Sequence, residues 1–145
     1  MSPQQEIAAL GARIQEAHAA KDAGALAACY APEAFFFDLA PPLLHRGFDA
    51  ASTSAWFATW DGPIRLETRD LEIVIEGSSA WAAALQHMRG TKTDGEKVDL
   101  WFRTTTCFTK RAGKWLILHD HASVPFHMDG SYRAAIGLTP EQADA

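Results

Sequence analysis

From Pro63 to Val124 the chain is a succession of strand-like runs, separated by turns too short for anything but antiparallel pairing. The runs cover residues 64–76, 81–92, 98–109 and 115–124, and in the first Leu71, Ile73 and Ile75 alternate with Glu72 and Glu76. Gly77-Ser78-Ser79, Asp94-Gly95 and Arg111-Ala112-Gly113 supply the turns, Asp94-Gly95 being the strongest hairpin signal. Such a meander fixes more than a fold class, because strand register follows from turn length.

A two-residue loop at Asp94-Gly95 pairs Thr93 with Glu96, and therefore His87 with Phe102 and Leu85 with Thr104. A three-residue loop at Arg111-Ala112-Gly113 pairs Lys110 with Lys114, and therefore Thr104 with Asp120 and Phe102 with Ala122. Paired residues share a face. One predicted face thus carries Leu85, His87, Arg89, Leu100, Phe102, Thr104, Thr106, Leu118, Asp120 and Ala122. The other carries Gln86, Met88, Trp101, Arg103, Thr105, Ile117, His119, His121 and Ser123. A single bulge exchanges members between the two.

The residues before Pro63 read mainly as helices. Ser2, Pro3 and Gln5 form a capping-box start, and Ile7, Leu10, Ile14 and Ala17 follow at helical spacing. Asp22 caps a shorter helix carrying Leu26, Cys29 and Tyr30, which Pro32 ends. Ala34-Phe35-Phe36-Phe37-Asp38 reads as a strand buried on both faces. After Pro41-Pro42 and Gly47, Asp49 caps a third helix with Trp56 and Trp60 on one side. Helices first and a meander afterwards define an α+β domain. The 145 residues fit one domain, with a core over about 5–124 and a tail over 125–145.

A hydrophobic fraction of 48% is ample for that core. The net charge of −5 disfavours nucleic acid and anionic membranes as partners, since both call for a basic face. No apolar run approaches the roughly 18 residues of a membrane span. MSPQQEIAAL lacks the basic and apolar regions of a secretory leader, and Cys29 and Cys107 read as free thiols, so a cytoplasmic location is expected. No nucleotide-binding loop occurs, and no cofactor is implied. His119-x-His121 has a spacing that metal sites use, but buried interface histidines beside Trp101 and Arg103 fit it better.

The order of these features resembles ketosteroid isomerase and its SnoaL-like relatives in the nuclear transport factor 2-like superfamily. The residues that carry it are Tyr30-Ala31-Pro32, Asp38, Pro41-Pro42, Gly47 and the closing Gly113-Lys114-Trp115-Leu116-Ile117-Leu118-His119-Asp120-His121-Ala122-Ser123. That last strand also resembles the calmodulin-dependent kinase association domain, an assembly module of the same fold. The resemblance, over about residues 5–124, implies a cone-shaped curved antiparallel sheet wrapped on three N-terminal helices around a pocket. It places Asp38 on the isomerase's general base and Tyr30 on a tyrosine of its hydrogen-bonding network. The two oxyanion donors fall on Ile14 and Thr104, so it does not extend to steroid isomerisation. It also turns the face bearing Thr104, Leu118 and Ala122 toward the pocket. The opposite face is left for a homodimer.

The expected catalytic set is therefore Asp38, His87 and Asp120, enough for proton transfer between two substrate atoms. Asp38 follows three phenylalanines, whose surroundings would raise its pKa toward neutrality; its other reading is a cap of the Pro-rich turn. His87 reads equally as a satisfied core histidine, and Asp120 as a structural partner of Arg89 or His87. Tyr30, Trp56, Trp60, Phe102 and Thr104 are the expected substrate-binding wall, with the tryptophans open to a plain core role. Cofactor-independent acid–base chemistry on an apolar or cyclic small molecule is the leading expectation. A non-catalytic ligand-binding or assembly module is the alternative, since one fold hosts many functions.

Overall fold

The computed structural model describes residues 1–142. Helix α1 (Pro3–Ala20) starts at the expected capping box: the Ser2 side chain accepts from the Gln5 backbone N–H, and the Gln5 side chain accepts from the Ser2 N–H. Lys21, in the left-handed region at φ 53°, ends it. Helix α2 (Ala23–Ala27) is capped by Asp22, whose carboxylate accepts from the Ala25 N–H at 3.0 Å. Asp49 does the same for α3 (Ala50–Phe57) through the Ser52 N–H.

Six strands form one curved, unclosed sheet in the order β2-β1-β6-β5-β4-β3. They are β1 (Tyr30–Phe37), β2 (His45–Arg46), β3 (Trp60–Glu76), β4 (Ser79–Lys92), β5 (Lys97–Arg111) and β6 (Lys114–Ser123). All neighbours are antiparallel except β1 and β6. Helix α1 packs across the inner face: Ile7 and Leu10 meet Ala80, Ala82, Phe108 and Ile117, and Ala17 meets Phe57, Trp60 and Ile64. The fold expected from the sequence is the fold observed.

Several local expectations are corrected. The second helix stops at Ala27, before Cys29 and well before Pro32, and Tyr30 belongs to β1; the β1–β6 register is irregular between Tyr30 and Phe35, where a proline without an N–H is tolerated. Strand β1 is not buried on both faces, since Phe37 is exposed. Trp60 opens β3 because α3 stops at Phe57.

The two hairpins also differ. The β4–β5 loop holds three residues, Thr93, Asp94 and Gly95; Lys92 donates to the Glu96 carbonyl, and Gly95 takes the left-handed position at φ 90°. His87 therefore pairs with Trp101, and Gln86 with Phe102. The β5–β6 loop holds two, Ala112 and Gly113, both at positive φ, as a primed turn requires. A bulge then leaves Leu118 without a partner between the pairs Phe108–Ile117 and Cys107–His119, so Thr106 pairs with Asp120 and Thr104 with Ala122.

After β6 the chain doubles back, with Phe126 bridged to Ala134 and Ala135 buried. Arg69 of β3 then binds Glu141 at 2.7 Å. The last residues of the expected tail, 143–145, lie outside the described residues. No described helix is long and apolar enough to cross a membrane.

Candidate functional site

The observed register puts Gln86 and Met88 of β4, Phe102, Thr104 and Thr106 of β5, and Asp120 and Ala122 of β6 on the inner face, the side against which α1 packs. Asp120 is the one acid among them. It is half-buried between β1 and β5, paired with Phe36 on one side and Thr106 on the other. The Thr106 hydroxyl donates to its carboxylate at 2.8 Å. Burial nevertheless raises the Asp120 pKa above the ordinary carboxylate value, and the nearby charge of Asp38 pushes the same way; the Thr106 bond, His119 and the His121 backbone oppose the rise.

Tyr30 stands beside this acid. Its ring stacks on Phe48 at 4.7 Å between centroids and meets Phe36 edge-on at 5.1 Å. Burial raises its hydroxyl well above the usual tyrosine pKa, followed by the charges of Asp120, Cys29 and Asp38. Tyr30 and Asp120 therefore lie near each other, with the Asp38 charge close enough to act on both.

Asp38 sits differently from its expectation. It follows the last residue of β1, is exposed, and accepts the Leu39 backbone N–H at 2.7 Å. The three phenylalanines do not enclose it, because they alternate: Phe36 turns inward to Tyr30, while Phe35 and Phe37 pack against His119 on the other face. Asp38 is a rim residue of the inner side.

His87 is the clear correction. The three-residue loop moves it to the outer face, where it stacks on Trp101 at 4.2 Å and 11° and meets the Asp99 carboxylate through Nε2 at 2.5 Å. It does not share a face with Asp120. Gln86 takes its place inside, a residue that the sequence signal pointed outward. A hydrogen-bond chain runs through it: Gln15 Nε2 donates to Thr68 Oγ1 (3.0 Å), Thr68 Oγ1 to Gln86 Oε1 (2.9 Å), and Gln86 Nε2 to Thr104 Oγ1 (3.3 Å). Every donor in that chain points toward Thr104.

Of the expected wall, Tyr30, Phe102 and Thr104 lie on the inner face. Trp60 is core, 3% exposed, packed with Phe57 and Ile64 under the Lys92 ammonium 4.4 Å from its ring. Trp56 touches Trp60 edge-on at 5.5 Å and is exposed. His119 and His121 are on the outer face, as expected, the first anchored to the Phe35 carbonyl at 2.8 Å. Among the described residues no three His, Cys, Asp or Glu gather as a metal site would require.

The comparisons with known proteins concern the family and the fold. A SnoaL-like domain model matches residues 7–127, and the chain belongs to the SnoaL-like domain family. No curated protein matches it. Among solved structures it is similar to a nuclear transport factor 2-like protein of unknown function from Pseudomonas putida, at 27% identity and a TM-score of 0.82, over 97% of this chain and 99% of that one. A Xanthomonas campestris protein, provisionally assigned as a calcium/calmodulin dependent protein kinase II association domain, aligns at 22% identity and 0.73 over 85% and 88%. A Streptomyces avermitilis protein of the same superfamily, provisionally assigned as a dehydratase, aligns at 15% and 0.72 over 83% and 94%. The last two likenesses are of fold.

Proposed function

We propose that the inner face binds a small apolar or cyclic molecule and moves a proton within it without a cofactor. The observation that carries this is Asp120, a half-buried carboxyl with a raised pKa on a face whose other residues, Gln86, Met88, Phe102, Thr104, Thr106 and Ala122, are uncharged. A raised pKa makes the carboxylate a stronger base and keeps the acid form within reach, which is what general acid–base catalysis needs. Asp38 at the rim serves as the second carboxylate. Thr104, which accepts from Gln86, has its own hydroxyl proton to offer a substrate oxygen.

The test is deuterium wash-in. Cyclic ketones such as 1-tetralone and cyclohexenone, incubated with the protein in D2O, exchange their acidic C–H faster than in buffer. Asp120→Asn abolishes the excess, and Asp38→Asn lowers it. Buffer-rate exchange across the panel, or an Asp120→Asn variant as fast as the natural protein, overturns the proposal.

A second copy of the chain is the partner we propose for the outer face. Phe37, Val74 and Trp81 are exposed by 38%, 37% and 42%, on the sheet side away from α1. Exposed aromatic side chains, here Phe37 and Trp81, are enriched at interfaces.

A further inference from the structure

We infer that the outer face carries a separate binding site for a phosphate group, at the opposite end of β4 from Trp81. The site is a break in the sheet. Strand β3 pairs Asp61 with Thr91 and next Arg65 with Arg89, so Gly62, Pro63 and Ile64 face the single residue Gly90. Such bulges interrupt the ladder and re-aim neighbouring side chains. Here the interruption opens a hollow of about 320 Å3, lined by Pro63, Arg65, Arg89, Gly90, Thr91, Lys97, Val98 and Asp99. That volume is at the lower end of small-molecule sites, roughly 300 Å3 upward.

Its walls carry three cationic side chains and one carboxylate. Arg65 and Arg89 are directly paired across the strands, an arrangement that is unfavourable unless an anion joins them. Lys97 closes the third side, its ammonium held by the Thr91 hydroxyl at 2.9 Å. Glu67 binds one Arg89 nitrogen, and Asp99 is taken by His87. Arg65 forms no ion pair among the described residues. Arg89 Nε is buried from solvent without a hydrogen-bond partner, so the guanidinium offers the hollow its terminal nitrogens. Among the lining residues themselves, Arg65, Arg89 and Lys97 face the single carboxylate of Asp99, while Asp61, paired with Thr91, and Glu67 stand at the edges and bring the wider neighbourhood to balance. A tetrahedral oxyanion accepts from guanidinium forks and an ammonium together, which water does not match in strength.

The position leaves the proposed dimer patch alone, since Trp81 and Arg89 are eight residues apart on β4, about 26 Å. It also lies on the far side of the sheet from Asp120, so it does not depend on the proton-transfer proposal.

Isotope-labelled full chain is titrated with sodium phosphate, and in parallel with sodium acetate and sodium chloride at matched ionic strength. The backbone amides of Thr91, Lys97 and Val98 and the arginine Nε–H signals are followed by NMR. Phosphate is expected to give saturating shifts that chloride does not reproduce. Arg65→Ala and Lys97→Ala each weaken the fitted affinity about tenfold, the loss of one charge-assisted contact. Arg111→Ala, whose guanidinium pairs with Glu33 away from the hollow, leaves it unchanged. Linear shifts common to all three salts, saturation by acetate alone, or full phosphate affinity in Arg65→Ala would each overturn the site.

Discussion

Gly90→Ala tests the packing that holds both the bulge and the core beneath it. A Cβ built on Gly90 stands 2.8 Å from Trp60 Cζ3, 2.9 Å from Cε3 and 3.2 Å from the Pro63 carbonyl oxygen. Real Cβ atoms do not approach that closely, so something must shift. Trp60 has little room to do so: it is 3% exposed, packed with Ala17, Leu26, Phe57 and Ile64, and covered by Lys92. Overpacking of this kind costs about 1–3 kcal/mol. For a domain of this size each kcal/mol lowers Tm by roughly 2–4 °C, which gives a fall of about 2–12 °C. Thermal unfolding followed by circular dichroism reads it. The sharper measurement is a double-mutant cycle, in which Gly90→Ala costs clearly less in a Trp60→Leu background. Equal costs in both backgrounds, or an unchanged Tm in the single variant, would refute the contact.

Other expectations follow from charge and exposure. The raised Asp120 pKa makes ionisation of this group a cost to the folded state, so its contribution is fully present below the unfolded carboxyl pKa and is lost as pH rises through the folded value. Asp120→Asn should therefore gain Tm relative to the natural protein as pH rises from below the ordinary carboxyl range through the folded Asp120 value, and a constant difference would contradict it. Glu33, beside Arg111, is held down at about 2. Its contribution is present above the unfolded carboxyl value and is lost as pH falls through the folded one; a carboxyl NMR titration at an ordinary midpoint would contradict the pairing. Trp81→Glu should turn a dimer into a monomer in sedimentation velocity without changing the fold, and an unaltered species would remove the proposed interface.

The fold was legible in the sequence because its signals are local. Ser2, Asp22 and Asp49 mark helix starts whatever the rest of the chain does, and glycine turns mark strand ends. Facing was harder, because it depends on counting loop residues, and the Asp94-Gly95 pair suits a three-residue loop, with Gly95 in the left-handed position, as well as a two-residue one. That one-residue difference sent His87 outward and Gln86 inward. Asp120 kept its inner place through two departures that cancel: the Ala112-Gly113 loop is one residue shorter than expected, and the Leu118 bulge restores the alternation. No sequence pattern marks that bulge. The aromatic run misled for a related reason, since three consecutive phenylalanines in a strand divide between its faces, and Asp38 inherits a rim rather than an enclosure.

The inner site stands or falls on Asp120 being a desolvated carboxyl coupled to Asp38. Carbon-detected NMR titration of the Asp120 side chain measures this directly, with Asp38→Asn as the comparison. The expected result is a midpoint above the ordinary aspartate value that moves down when Asp38 loses its charge. A midpoint at or below the ordinary value, unmoved by Asp38→Asn, would contradict it.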